Sequence, residues 1–512
     1  MKARLLIVLM IFANIAYAEA PLSAIDWLNK KRSTVDRSNE THFFKAEPPT
    51  TSGAEAPSVA VSKLRETRLD AVGLLPAQIT GFPVNIWHES TSSNLVRLLR
   101  NIDVSPNPAI QSLLFRLLLA EGHAPFDSDD TYEFFQARLK KLVQYGAIEP
   151  ALALLERAAP LPAQLVPTLF DLSMLSEAML PACEQVLELG SAYERDAERI
   201  FCTARTGDWM TAHLMLEAIT ALDVLEQRQN TLLARFLDAY EYEDTIEELP
   251  PPLNPTALDI RLYEAVGEPL ATRRLPLAFA VNDLTGDHGW KAQLEAAERL
   301  KNSGALADNR FLGIFTERLP SASGGIWDKV NLIQRFEQAV QQKDPIFAGE
   351  VLKDVFTNPE FRNLIAPTSR LFSNDLLVLD LSTEDLKMAQ RFALLSSEFE
   401  AVAALMYAET PREALLKAIA LNDFSNLPTF STRDSVISEA FRAGRVPFVV
   451  SNLMEQHKLG EAILTALIQF EKGSSGDLQD LMDSLSTLRF LGLDETARRA
   501  ALYLLIVGDN EP

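Results

Sequence analysis

Gly146-Ala147-Ile148-Glu149-Pro150-Ala151, Gly207-Asp208-Trp209-Met210-Thr211-Ala212 and Gly492-Leu493-Asp494-Glu495-Thr496-Ala497 are three stretches of one form. In each a glycine ends one helix, because it adopts the left-handed backbone that closes a helix C-terminus without steric cost. An alanine one turn into the next helix lets the two helices approach closely. The flanking sequence agrees. Leu113, Leu114, Leu117 and Leu118 share a three-and-four spacing, as do Leu139, Leu142 and Val143, and Leu464, Leu467 and Ile468; this is the mark of one apolar helix face. Pro160, Pro162, Pro167, Pro250 to Pro252, Pro320 and Pro411 fall between the periodic segments, and alternating strand patterns are almost absent. The expected fold is all-α.

These joints resemble the helix-turn-helix grammar of tetratricopeptide and related repeats. The period of about 34 residues and that family's Trp, Tyr and Pro positions are missing, so the resemblance implies a degenerate helix-hairpin α-solenoid. Asp70-Ala71-Val72-Gly73-Leu74-Leu75-Pro76 with Trp87 downstream, Ala322-Ser323-Gly324-Gly325-Ile326-Trp327-Asp328, and the run from Gly289-Trp290-Lys291 to Arg299-Leu300 together resemble an uncharacterised group of exported helical proteins of Gram-negative bacteria. Some of that group carry an antifreeze-glycopeptide label. The resemblance covers most of the chain after its N-terminal region and implies no activity.

Outward from the joints, the chain divides at composition changes. Residues 1–18 read as a signal peptide: Lys2 and Arg4, an apolar run from Leu5 to Ala13, then Ala16-Tyr17-Ala18. The run is short of the roughly 20 residues that span a bilayer, so the expected location is the periplasm, with no integral membrane segment after cleavage. Residues 19–28 form a short amphipathic segment in which Leu22, Ile25 and Leu28 share a helix face, with Trp27 at its edge. It docks back on the body, captures another protein with Trp27, Ile25 and Leu28 as anchors, or is a remnant of cleavage. Residues 29–68, with Pro48-Pro49-Thr50-Thr51-Ser52-Gly53, are too polar to bury enough surface to order themselves and read as a disordered linker. Residues 69–250 and 251–512 are expected as two helical arrays meeting near Pro250-Pro251-Pro252.

The whole chain carries 70 Asp and Glu against 48 Lys and Arg, a net charge of -22, and loss of Lys2 and Arg4 with the leader makes it two charges more negative. That surface repels nucleic acid and anionic lipid and favours cationic partners. The two cysteines, Cys183 and Cys202, lie on helices separated by Gly190, the second helix opening at Ser191; an antiparallel pair brings them to similar height, where an oxidising compartment bridges them, the alternative being two buried free thiols.

Catalytic signals are missing. His42, His88, His123, His213, His288 and His457 never stand at the i, i+4 spacing of paired metal ligands, and no serine-nucleophile or phosphate-loop motif occurs. Asp127-Ser128-Asp129-Asp130-Thr131-Tyr132-Glu133 starts like a calcium loop but has Tyr132 where glycine is needed and Arg138 where glutamate is needed, so Asp129 or Asp130 reads as a helix cap. The acidic cluster of Glu241, Glu243, Asp244, Glu247 and Glu248 reads as a solvated turn. Ser323, Gly324, Gly325 and Trp327 stand at a helix start, where free amides can bind an anion or the ring can line a groove. Trp209, Trp290 and Trp327 each open a helix and read as packing staples or groove anchors. No cofactor or metal is expected. Two function classes follow: a non-catalytic periplasmic scaffold binding envelope proteins through an acidic helical surface, or a cell-wall-active protein of the lytic-transglycosylase type. For the second, the only Glu-Ser pair, Glu89-Ser90, lies at the wrong end of the chain and lacks the aromatic that follows in that family.

Overall fold

The computed structural model describes residues 68–508, apart from residue 104 and residues 177–178, 239–248, 286–287, 426, 428–431, 443 and 445. The leader, the segment carrying Leu22, Ile25, Trp27 and Leu28, and the linker up to residue 67 lie outside the described residues, as does the whole acidic cluster of Glu241, Glu243, Asp244, Glu247 and Glu248. Among the described residues there are 24 α-helices and six 3-10 helices, with one isolated bridge between Leu75 and Ala120 and no strand. The protein is all-α. Arg65–Pro512 forms one compact unit, and the Pro250 break falls inside it: Ala257–Ala265 packs on Val166–Met174 as well as on Gln227–Leu237.

The three glycine joints close their helices in one way. Gly146, Gly207 and Gly492 have φ of 75°, 101° and 77°. In each case the next residue's amide reaches back five positions, from Ala147 to the Leu142 carbonyl (2.9 Å), Asp208 to Thr203 (3.1 Å) and Leu493 to Leu488 (2.8 Å). This satisfies carbonyls that a helix end would otherwise leave bare. Five residues after each glycine, Ala151, Ala212 and Ala497 are wholly buried. The same device recurs at Lys343 and His457, which take φ of 52° and 57°; Asp344 and Lys458 donate to Ala339 and Leu453, and Ala348 and Ala462 are wholly buried.

Packing beyond neighbouring helices departs from a linear repeat array, in which each unit touches only the units beside it. Ser92–Arg100 packs on Leu459–Ser474, and Pro108–Leu119 packs on Asp494–Val507. Backbone and side chains join the same regions: the Gly460 amide donates to the Ile86 carbonyl at 3.2 Å, Asn107 Nδ2 to the Ala500 carbonyl at 3.1 Å, and the Asp103 amide to Glu471 Oε2 at 3.1 Å. Gly460 is needed there. A Cβ on it would stand 2.4 Å from the ring of Trp87, itself buried against Phe134.

The stretch from Leu69 to Leu75 is tied down by polar groups. Asp70 accepts from Ser128 Oγ (2.6 Å) and the Phe135 amide (2.7 Å). Arg138, fully buried, donates to the carbonyls of Val72, Leu118 and Ala120 at 2.7, 2.7 and 3.1 Å. Burial lowers the Arg138 pKa to about 10, so the charge persists, satisfied by backbone dipoles.

Cys183, on Met179–Leu189, is bonded to Cys202, on Asp196–Arg205, with Cα atoms 4.9 Å apart. The second helix starts at Asp196 and not at Ser191, because Gly190–Ala192 forms a 3-10 turn before it.

Candidate functional site

A cleft of about 600 Å³ opens where distant parts of the chain meet: the helix Pro108–Leu119, the segment around Lys301, the segment around Arg370, and the helix Asp494–Val507. Ser112, Phe115, Arg116 and Leu119 line it because their spacing places them on one helix face. Four cations, Arg116, Lys301, Arg370 and Arg499, stand on its wall against one carboxylate, Glu495. In a chain of net charge -22 that reverses the average surface.

Three of these cations are engaged. Arg370 forks onto Asp308 at 2.8 and 2.9 Å, and Lys301 meets the same carboxylate at 2.5 Å. These two cations hold Asp308 below the usual carboxylate range despite its burial, while desolvation lowers Lys301. Arg499 bonds Glu495 at 2.8 Å and the Ser396 carbonyl at 3.2 Å, with its guanidinium over Phe399. Arg116 is different. Its guanidinium lies 5.7 Å from the Phe82 ring centroid and makes no hydrogen bond or ion pair among the described residues, and its Nε is buried without a partner. Tyr503, on the same wall, has its pKa pushed up to about 12 by burial, and its hydroxyl makes no hydrogen bond among the described residues. The lining includes neither histidine nor cysteine. Such a wall can hold an anion by charge and donors, with apolar contact from Leu75, Phe115, Leu119 and Leu395.

A second feature is the helix Trp209–Ala221. Only Ala212 and Leu216 on it are buried. Met210 (72% exposed), Leu214 (56%) and Leu222 (73%) follow at intervals of four, with the exposed Ala218 between the last two. They form an apolar stripe facing solvent. Asp208, Glu217, Asp223 and Glu226, all exposed, surround it; Glu217 pairs with His213 at 3.4 Å.

The residues singled out from sequence are dispersed. Ser323, Gly324 and Gly325 are exposed before the helix Ile326–Gln342, and the Gly324 amide is taken by Asp328 Oδ1 at 3.0 Å, the chain's own carboxylate occupying that N-terminus. Trp327 packs on Trp290 with centroids 5.3 Å apart, and Trp209 on Phe236 at 5.5 Å. Asp129 accepts from the Thr131 amide in a local turn, whereas Asp127 caps a different helix, accepting from the Ser92 amide at 2.8 Å. Glu89 is exposed and Ser90 buried, on a turn before Ser92–Arg100. His288 stands between Glu264 (3.3 Å) and Asp283 (3.8 Å); among the described residues no group of three or more His, Cys, Asp or Glu is placed to hold a metal. Nor is any described helix long and apolar enough to cross a membrane.

Sequence reasoning missed the cleft, since its cations lie at positions 116, 301, 370 and 499. One signal was available: Arg116 stands beside Phe115 and Leu119 on the face of Pro108–Leu119 away from the buried Leu113, Leu114, Leu117 and Leu118, where apolar residues would otherwise face water. No protein-family model matches the chain, and neither a curated protein nor a solved structure matches it.

Proposed function

We propose that the chain is a non-catalytic binding protein of the periplasm that docks a basic, amphipathic segment of an envelope protein. The exposed stripe of Met210, Leu214 and Leu222 carries this reading. A helix apolar on both faces is ordinarily covered, and an apolar row rimmed by charge marks an interaction surface. The acidic rim of Asp208, Glu217, Asp223 and Glu226 selects a partner with apolar anchors at helical spacing and Lys or Arg beside them.

The test uses two 18-residue model helices with the same leucine stripe, one with Lys on its polar face and one with Glu, followed through the fluorescence of the half-exposed Trp209. The Lys helix binds and the Glu helix does not. Met210→Asp with Leu214→Asp weakens binding by roughly tenfold or more, as loss of central apolar anchors does, with unfolding unchanged because both side chains face water. Equal binding of the two peptides, or no effect of the double substitution, rules the reading out.

A further inference from the structure

We propose that the cleft between Pro108–Leu119, Arg370 and Asp494–Val507 is a binding site for a small organic anion, a single carboxylate or phosphate carried on an apolar body, with Arg116 as the group that reads the charge. This site is separate from the stripe on Trp209–Ala221 and needs no protein partner.

The argument starts from Arg116. A guanidinium carries five N–H donors, and leaving a buried one unmade forfeits the hydrogen bond it had with water. Every other cation on the wall has a carboxylate: Asp308 serves Arg370 and Lys301, and Glu495 serves Arg499. Among the described residues Arg116 has the Phe82 ring and no carboxylate, and its Nε is closed off from water. A carboxylate or phosphate offers the two oxygens that match the guanidinium fork. The Tyr503 hydroxyl, which makes no hydrogen bond among the described residues, supplies a neutral donor on the same wall.

The body of the ligand follows from the rest of the lining. Leu75, Phe115, Leu119, Leu394 and Leu395 present apolar surface into the cleft, which an inorganic ion would leave wet. At about 600 Å³ the cleft falls within the range of small-molecule sites. One unpaired guanidinium calls for one charged end.

Titration calorimetry of the full chain with decanoate, decyl phosphate and 1-decanol tests this, since the three share a tail and differ in the head. At least one of the two anions binds one to one, and more tightly than the alcohol by roughly tenfold or more, the scale of a charge-assisted hydrogen bond. Arg116→Gln removes that preference and leaves the alcohol's affinity as it was; apart from the Phe82 ring, the guanidinium makes no hydrogen bond or ion pair among the described residues, and unfolding of R116Q in urea reads the loss of that ring contact separately. Ser112→Trp, from the same helix face, fills the cleft and abolishes binding of all three. The proposal is overturned if no probe binds, if anions and alcohol bind alike, if R116Q leaves the anion preference intact, or if S112W leaves binding unchanged. Which head group binds better separates a carboxylate ligand from a phosphate one.

Discussion

Gly460→Ala tests whether the beginning and end of the helical body are held together as described. The substituted Cβ would stand 2.4 Å from Cε3 and Cζ3 of Trp87 and 2.9 Å from the Ile86 carbonyl oxygen. Ordinary contact requires a retreat of about 1 Å. Trp87 has little room to yield, being 2% exposed with Phe134 at 5.1 Å between centroids. Overpacking of this kind costs about 1–3 kcal/mol, and stretching the 3.2 Å bond from the Gly460 amide to Ile86 adds up to about 1 kcal/mol. Against this, alanine is favoured over glycine inside a helix by about 0.5–1 kcal/mol. The net expectation is destabilisation by about 1–3 kcal/mol. Gly313→Ala is the reference: it lies within Asp308–Thr316, its added Cβ meets nothing within 4 Å, and it should stabilise by about 0.5–1 kcal/mol. Urea unfolding followed by far-UV dichroism gives both values. If Gly460→Ala is as stable as the parent or more so, the contact between Trp87 and Leu459–Ser474 does not form in solution and the closure argument fails.

Two further outcomes follow from the described geometry. Removing the bridge with Cys183→Ala and Cys202→Ala lowers unfolding stability by about 3 kcal/mol, the entropy of a closed loop of this size; a loss below about 1 kcal/mol in urea titrations contradicts it. Burial holds the Asp283 carboxyl above its ordinary value of 3.8, outweighing the Thr272 hydroxyl and the His288 and Arg299 charges. A carboxyl raised in the folded state keeps its proton where the unfolded chain has released it, so its contribution to stability is whole below about pH 4 and is lost as pH rises through the folded pKa. Asp283→Asn cannot ionise and should flatten the fall in stability between pH 4 and 7; a profile parallel to the parent's refutes this.

The helical character of this chain and its helix ends were legible because both are local. An apolar three-and-four spacing needs only the side chains of one helix, and a glycine at a left-handed position needs only its own backbone. The same local logic hid Lys343 and His457, which close their helices as Gly146 does. Left-handed backbone costs a non-glycine residue roughly 1–2 kcal/mol, and at these two sites the closing hydrogen bonds and a buried alanine offset it, so composition shows no mark. Their legible trace is the alanine five residues on, Ala348 and Ala462.

What covers each apolar face was decided in three dimensions. Periodicity states that Ser92–Arg100 and Leu459–Ser474 each have a face to bury and says nothing of their burying it on each other, because hydrophobic attraction carries no address. Shape supplies the address: only Gly460 leaves space for Trp87. The cleft follows from the same closure, since Arg116, Arg370 and Arg499 share a wall only once the first helices meet the last. The sequence alone determined an acidic, helical chain with one cysteine pair; tertiary packing decided which cations line one cleft, and that among the described residues Asp308 and Glu495 pair with Arg370, Lys301 and Arg499 and not with Arg116.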